Sequence, residues 1–506
     1  MTGSFSPRAA AGLRQRLAGR LVLPGEEEYD AARQVWHASH DYRPALIAQP
    51  LSVADVQAAV RFAGEWGLPV CVRGGGHNHA GWAVADGALM LDLSAMVSVR
   101  VAPARRVATV GGGATWRLVD QATQDAGLAV TGANVSAVGA AGSTLGGGTG
   151  WLHRVFGLSC DNLLAAEIVT ADADVVSASA GENPDLFWAL RGGGGNFGAV
   201  TSLTFALHPI GPAHVGLVAC PMDRAVGALA LYQHLCDTGG DELFARAMLT
   251  IAPPLPFIPE ALRGRPAVIL SAAWFGPPGQ AGPALRELRE FGPPGAGPPR
   301  PMPYAELQRM LDAVVPRRVR QTMLGGYAGP LSAGVIDALT AAVAEPPPMS
   351  MVMLQPLGGA VARVSPGATA FRYRHADHWL DINTITLPED SGAEQAAWAE
   401  KVNGSLPAGT ILGPNVHAMG RGEPEDRVRA AYGDAAYARL AAIKAAYDPG
   451  NVFRFNQNIP PPRVTDGSGL AGKRRTAPLL RSPPEPFPHT PGRRYKRRHP
   501  AAGSPG

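Results

Sequence analysis

The chain has 506 residues, enough for two or three domains and a large core. Its formal net charge of +4 misleads: residues 461–506 hold 10 Lys and Arg against 2 Asp and Glu, leaving 35 against 39 before them, so the body is no nucleic-acid binder by charge. No apolar run reaches the roughly 18 residues of a membrane span, and Met1–Arg20 lacks the apolar core of a signal peptide.

Cys71, Cys160, Cys220 and Cys236 show neither metal-ligand spacing nor a disulfide framework, so no metal and a reducing, cytoplasmic setting are expected. Residues 461–506 are rich in proline and poor in large apolar side chains. They are expected to form a disordered basic tail. Its blocks Lys473-Arg474-Arg475 and Lys496-Arg497-Arg498 suit an anionic surface, but a solvated extension explains them without a partner.

In chain order, residues 10–35 read as a helical lead-in broken at Pro24-Gly25. Ser52-Val53-Ala54-Asp55 has the form of a capping box, with Val53, Val56, Val60 and Ala63 on one helix face. The apolar run Leu68–Val72 predicts a buried strand that ends in Arg73-Gly74-Gly75-Gly76-His77-Asn78. Glycines let main chain approach a ligand, and successive N–H groups with Arg73 beside them suit a phosphate. His77 would stand at the lip. Alone, this is a weak signal, more readily met by a tight turn and a surface histidine.

Strands are predicted at Leu89–Leu93 and Val107–Val110, and a helix over Trp116–Ala126. A second glycine-dense stretch, Val138–Gly150, offers many backbone donors and little bulk. Leu163–Thr170 reads as a strand and Asn183–Leu190 as a helix. The run Gly193–Gly198 matches GxGxxG, but a helix precedes it and an alternating strand, Thr201–Leu207, follows, the reverse of the dinucleotide fingerprint. His208–Pro212 reads as a domain boundary. Beyond it helices are expected at Arg224–Cys236, Ala284–Phe291, Ala305–Val314 and Val335–Val343, and strands at Ala267–Trp274, Met349–Leu354 and His378–Ile385. One long helix is expected over Arg427–Tyr447, stopped by Asp448-Pro449-Gly450.

Taken together, the chain over residues 10–460 resembles the berberine-bridge-enzyme-like flavoproteins of the vanillyl-alcohol-oxidase, PCMH-type superfamily. The motifs that carry this are Val72–His77, Leu145–Gly148 with Gly157-Leu158 and Asp161-Asn162, Asp185–Ala189 with Arg191–Gly198, and Tyr447–Pro449 with Asn456–Ile459. The resemblance implies an α+β fold. A PCMH-type FAD-binding domain would span residues 1–210, completed by 425–460. A substrate domain, an antiparallel sheet covered by helices, would span 211–424.

It further implies FAD joined by a single covalent link through His77. The cofactor would be bound by Arg73, Gly74, Gly75, Gly76, Asn78, Val138, Gly139, Gly142, Thr144, Gly148, Gly150, Leu152, Val200 and Asn456. Many relatives add a second link through a cysteine whose position is here Val135, and Cys160 lies too far along to replace it. Where relatives carry Tyr-x-Asn, this chain has Asn415-Val416-His417, so His417 is the candidate base, its ordinary pKa near ~6.5 suiting proton transfer. Asn415 and Tyr373 are further catalytic candidates, and Gln355, His375, His378 and Asp381 are polar positions more consistent with sheet surface. Ala140, if it lies against the flavin, would leave room for oxygen.

The expected activity is oxidation of a small alcohol, sugar or secondary metabolite, with dioxygen as acceptor and hydrogen peroxide as product. The alternatives are a dehydrogenase with another acceptor and a flavin-bound protein without turnover.

Overall fold

The computed structural model describes residues 5–292, 298–312 and 318–462. The basic tail expected from residue 461 thus lies, from 463 on, outside the described residues, as do positions 313 and 314 of the predicted helix Ala305–Val314. Residues 1–462 form one compact unit. Among the described residues no helix is long and apolar enough to cross a membrane.

Strands before residue 210 build small sheets. A four-stranded sheet has the order Arg20–Val22, Leu46–Gln49, Leu89–Asp92, Val70–Arg73, with its last two neighbours parallel. The helix Val53–Glu65 covers it, burying Val56, Ala59, Val60 and Ala63. Ser52 caps that helix, accepting from the Asp55 N–H at 3.2 Å. The Asp55 carboxylate does not close the capping box. It accepts instead from the N–H groups of Ala18, Gly19 and Leu51, pinning the lead-in to the helix start.

A five-stranded antiparallel sheet runs Val99–Ala102, Val107–Gly111, Ala199–Ala206, Leu163–Val169, Val175–Ser179. Its core also takes Val428, Tyr432, Tyr437, Leu440 and Ile443 from near the C-terminus. The long helix expected there is two, Glu425–Tyr432 and Asp434–Tyr447. Gly433 between them has φ +79°, a conformation that helix cannot propagate.

Strands from 213 to 413 form one eight-stranded antiparallel sheet. Its order is Arg300–Met302, Ala213–Pro221, Pro266–Trp274, Leu243–Ile251, Ser350–Pro356, His378–Thr386, Arg320–Ala328, Ile411–Gly413. One face packs on the helices Ala225–Thr238, Ala333–Ala342 and Ala393–Ser405, joining Ala245, Ala247, Leu249, Leu354, Leu380 and Ile382 to Leu229, Leu339 and Val402. Because side chains alternate along a strand, the residues between them must point the other way. That second face turns inward.

Candidate active site

The inward face of the sheet and the glycine loops enclose one cavity of about 780 Å³, within the range of a cofactor or ligand site. On one side stand Gly74, Gly75, Gly76, His77, Asn78, Val138, Gly139, Gly142, Gly148, Val200 and Asn456. The sheet contributes Arg246, Met248, Thr250, Ser271, Met351, Met353, Gln355, Asp381, Asn383 and Met323. His417 lines the same space.

The glycine clusters have a mutual reason to exist. A Cβ on Gly75 would stand 2.3 Å from the Gly139 nitrogen, and one on Gly139 would stand 2.4 Å from the Gly75 nitrogen. Likewise a Cβ on Gly112 would meet the Val200 carbonyl oxygen at 2.2 Å. Main chain therefore packs on main chain, and the cavity wall there is bare backbone. The segment Gly193–Gly198 indeed lies between the helix Pro184–Leu190 and the strand Ala199–Ala206. There Asn196 ties it to the C-terminal segment, accepting from the Ile459 N–H at 3.0 Å, while its carbonyl accepts from Lys444 Nζ at 2.6 Å.

Several sequence-derived positions sit outside the cavity wall. Arg73 does not lend its charge to it: the guanidinium is taken up by the buried Asp92 carboxylate, 2.9 Å from Nε, and by the carbonyls of Ala32 and Gln34. Burial pushes the Asp92 carboxyl up, but Arg73 outweighs it and holds the group below its ordinary value. Arg73 thus anchors the loop. Thr144 donates to the Ala140 carbonyl inside a short helix, and Leu152 is core. Gly150 packs on backbone, where a Cβ would meet the Gly132 oxygen at 1.8 Å. Ala140 is buried in the core behind the wall, whereas Ala141 lines the cavity.

The catalytic candidates divide in the same way. Tyr373 lies in a separate small crevice and donates to the Ala430 carbonyl at 2.8 Å. Asn415 is buried and its Oδ1 accepts from the His417 N–H at 3.0 Å, shaping the turn that carries the histidine. His417 packs its ring on Gly146 and donates from Nε2 to the Ser143 carbonyl at 3.1 Å. Burial lowers its pKa, so the ring is neutral with its proton committed to that carbonyl. His375 is exposed, and His378 points into the helix-covered core, bonded to Tyr232 and Gln233.

Two further residues line the cavity: Asp381, which the sequence suggests as sheet surface, and Arg246, which the sequence does not single out. Asp381 is 1% exposed, and burial pushes its carboxyl up to about 7 while Asn383 pulls it back. Asn383 is itself held by Gln321 Nε2 at 3.0 Å. Arg246 is 2% exposed and rests over the Trp151 ring, 4.1 Å from its centroid. The available sign was a carboxylate inside the strand His378–Thr386 and a lone charge inside the apolar strand Leu243–Ile251, respectively.

Buried polar atoms without a hydrogen-bond partner gather on this cavity. They include Asn456 Oδ1 and Trp82 Nε1 beside the glycine loops, and Asp381 Oδ1, Gln355 Nε2 and Trp379 Nε1 on the sheet. Such atoms are costly unless a ligand meets them. A bare glycine wall next to an acceptor and donors fits a large phosphorylated, heteroaromatic cofactor. None of the four cysteines lines the cavity, and Val135 does.

Comparisons with known proteins agree with this geometry. Residues 44–179 match the model of an FAD binding domain, and residues 403–460 match the berberine and berberine-like model. An uncharacterized FAD-linked oxidoreductase of Bacillus subtilis is 30% identical over 460 residues, covering 88% of this chain and 98% of that protein. The (R)-6-hydroxynicotine oxidase of Paenarthrobacter nicotinovorans is 30% identical over 470 residues, covering 88% and 97%. Among solved structures, 6-hydroxy-D-nicotine oxidase from Arthrobacter nicotinovorans superposes with a TM-score of 0.78 at 27% identity, covering 88% of this chain and 98% of that one. The BBE-like 1 protein of Physcomitrella patens gives 0.78 at 25% identity, covering 90% and 99%. The chain belongs to the berberine-bridge-enzyme-like, PCMH-type FAD-linked oxidoreductases, an α+β family of flavoenzymes.

Proposed function

We propose that this flavoprotein holds FAD through a single bond from His77 and oxidises a small, largely apolar alcohol or amine, with dioxygen as acceptor and hydrogen peroxide as product. The observation that carries the reading is the shared cavity: His77, the glycine wall and a buried carboxyl of raised pKa, Asp381, all face it. When bound, the flavin supplies the two-electron redox chemistry. The chain's own residues orient, exclude water and move the proton.

The imidazole of His77 stacks on Trp36, ring centroids 5.4 Å apart and planes 19° apart, which fixes its orientation at the cavity lip. Gly74–Gly76, Gly139, Gly142 and Asn456 would hold the cofactor from the bare-backbone side. On the sheet side Met248, Met323, Met351 and Met353 give an adaptable apolar bed for the substrate. Asp381 takes the proton from the substrate hydroxyl or amine. A pKa near 7 keeps a useful fraction ionised at neutral pH while leaving it basic enough to act. His417 instead holds the Ser143–Gly146 turn in place. Support for an oxidase comes from relatives named nicotine and glucooligosaccharide oxidases.

The test is acid denaturation of the purified protein followed by filtration. Yellow colour is expected on the protein, and none on His77→Ala. Colour passing into the filtrate of the wild type would overturn the covalent link. Substrate reduction without air, then admission of air, should restore the oxidised flavin spectrum within the turnover time. Reoxidation far slower than turnover would replace dioxygen by another acceptor.

A further inference from the structure

We propose that Arg246 is the receptor for a carboxylate carried by the substrate, so that the substrate is an apolar organic acid whose oxidised carbon lies elsewhere in the molecule. The inference rests on the reading of the cavity as a shared flavin and substrate chamber.

Arg246 lies on the cavity wall at 2% exposure. Its Nη2 donates to Gln355 Oε1 at 3.2 Å, and its Nε has no hydrogen-bond partner. Among the described residues no carboxylate lies within ion-pair distance of it. Other arginines inside this protein are treated differently. Buried Arg374 has Asp161, buried Arg33 has Asp30 and Asp41, and half-buried Arg73 has Asp92. Arg154, the remaining buried guanidinium nearby, donates to the carbonyls of Leu357 and Gly239. Arg246 alone among these faces the cavity.

Against Arg246 pack the rings of Trp151 and Phe244, 4.1 and 5.6 Å from the guanidinium carbon, and the amide of Gln355. His153, held below its ordinary pKa mainly by burial, is near enough to feel its charge. Tyr232, which also acts on it, has its hydroxyl pushed far above its ordinary pKa by burial and carries no charge. Burial lowers the arginine itself to about 9, which still leaves it cationic at neutral pH. A buried cation is costly to hold without an anion, and a guanidinium presents a planar fork that matches a carboxylate. Gln355 Nε2, without a partner of its own, offers a further donor beside it. Across the strand pair stands Ser271, also on the wall. Met248 and Met353 continue the surface as hydrocarbon. A carboxylate head with an apolar body fits this order of groups.

The anionic group of the cofactor is the other possible source of negative charge, and the experiment separates the two. Calorimetric titration of the FAD-loaded protein would use naphthalene-2-carboxylate against its uncharged analogue naphthalene-2-carboxamide. The acid should bind roughly tenfold or more tightly than the amide. Arg246→Gln should abolish that preference and Arg246→Lys should keep part of it, with the ratio of flavin to protein absorbance unchanged in both. A wild type that binds the acid no better than the amide overturns the proposal, and does so even if Arg246→Gln fails to fold. So does a preference that survives Arg246→Gln. Loss of flavin from both variants would assign the arginine to the cofactor instead. A wild type that stays colourless after FAD is added would sink the flavin reading, and the same acid and amide titrations of that flavin-free protein would still decide for or against Arg246.

Discussion

Asp381 has Met353 opposite it on one neighbouring strand and Gly325 on the other, so neither residue paired with it is a cation. Burial is the main force on its carboxyl, and raises it to about 7. A base must be ionised to act, so kcat/KM is expected to rise with pH up to about 7 and to level above it. Asp381→Asn should lower flavin reduction by roughly 10²–10⁴-fold and remove that limb, with the bound-flavin spectrum intact. His417→Ala should leave the limb where it is. Stopped-flow reduction across pH distinguishes them, and a wild-type rate in Asp381→Asn would move the base elsewhere. At this scale the sequence was legible where several motifs resemble a family together: His77 and most of the glycines those motifs name do line the cavity. Asp381 reads from the sequence as sheet surface and Arg246 does not stand out, because the strands bearing them are buried on both faces. Strands of that kind show no alternation that would say which side chains face a ligand.

The loops at Gly74–Gly76 and Gly139 act as one element, each filling the space where the other's Cβ would be. Gly75→Ala forces backbone against backbone, which no rotamer change relieves. We expect it to cost several-fold or more in flavin content, and about 2 kcal/mol or more in stability. Gly181→Ala, where nothing lies within 4 Å of the added Cβ, serves as control. Wild-type flavin loading in Gly75→Ala would show that the two loops can part. A second expectation concerns the helix Trp116–Gln124, where Asp120 faces Gln308 of the helix Tyr304–Gln308. Burial pushes the Asp120 carboxyl up to about 8. The folded state therefore keeps a proton that the unfolded chain releases near pH ~4. Stability should fall as pH rises from about 4 and level off above about 8. Asp120→Asn removes this dependence, so its Tm should gain on the wild type steadily between those limits. A Tm difference that does not change with pH would rule Asp120 out as the cause. Elements were legible where caps and periodicity were strong, as at Ser52 and Trp116. They were lost where a single glycine decides: Gly433 turns an unbroken helical pattern into two helices. The strands Leu243–Ile251 and Arg320–Ala328 gave no clear signal because their runs lack alternation or hold paired glycines.

Across the whole body, the glycine loops and the large sheet must keep their spacing if one cavity is to serve both cofactor and substrate. Part of that spacing rests on Arg374 and Asp161. Arg374 precedes the strand His378–Thr386 that carries Asp381, and Asp161 precedes the strand Leu163–Val169 of the five-stranded sheet. The two form a bidentate pair, 2.6 Å for each bond, at 1% and 8% side-chain exposure. The Asp161 carboxylate also accepts from the Leu158 N–H at 2.9 Å, and Arg374 donates to Thr369 at 2.7 Å. The sequence marked Asp161-Asn162 as a motif but not its partner, which lies 213 residues away and becomes a neighbour only in the fold. Desolvating both charges offsets much of their attraction, so the pair need not raise stability over an apolar pair of equal volume. Breaking it from one side is different, because a charge is left buried and alone. Arg374→Met and Asp161→Leu should each destabilise by about 3–5 kcal/mol, and the double variant by clearly less than their sum. Urea unfolding of the flavin-loaded protein measures this cycle. If the two losses simply add, the pair is not coupled, and the sheets are held at their distance by packing alone.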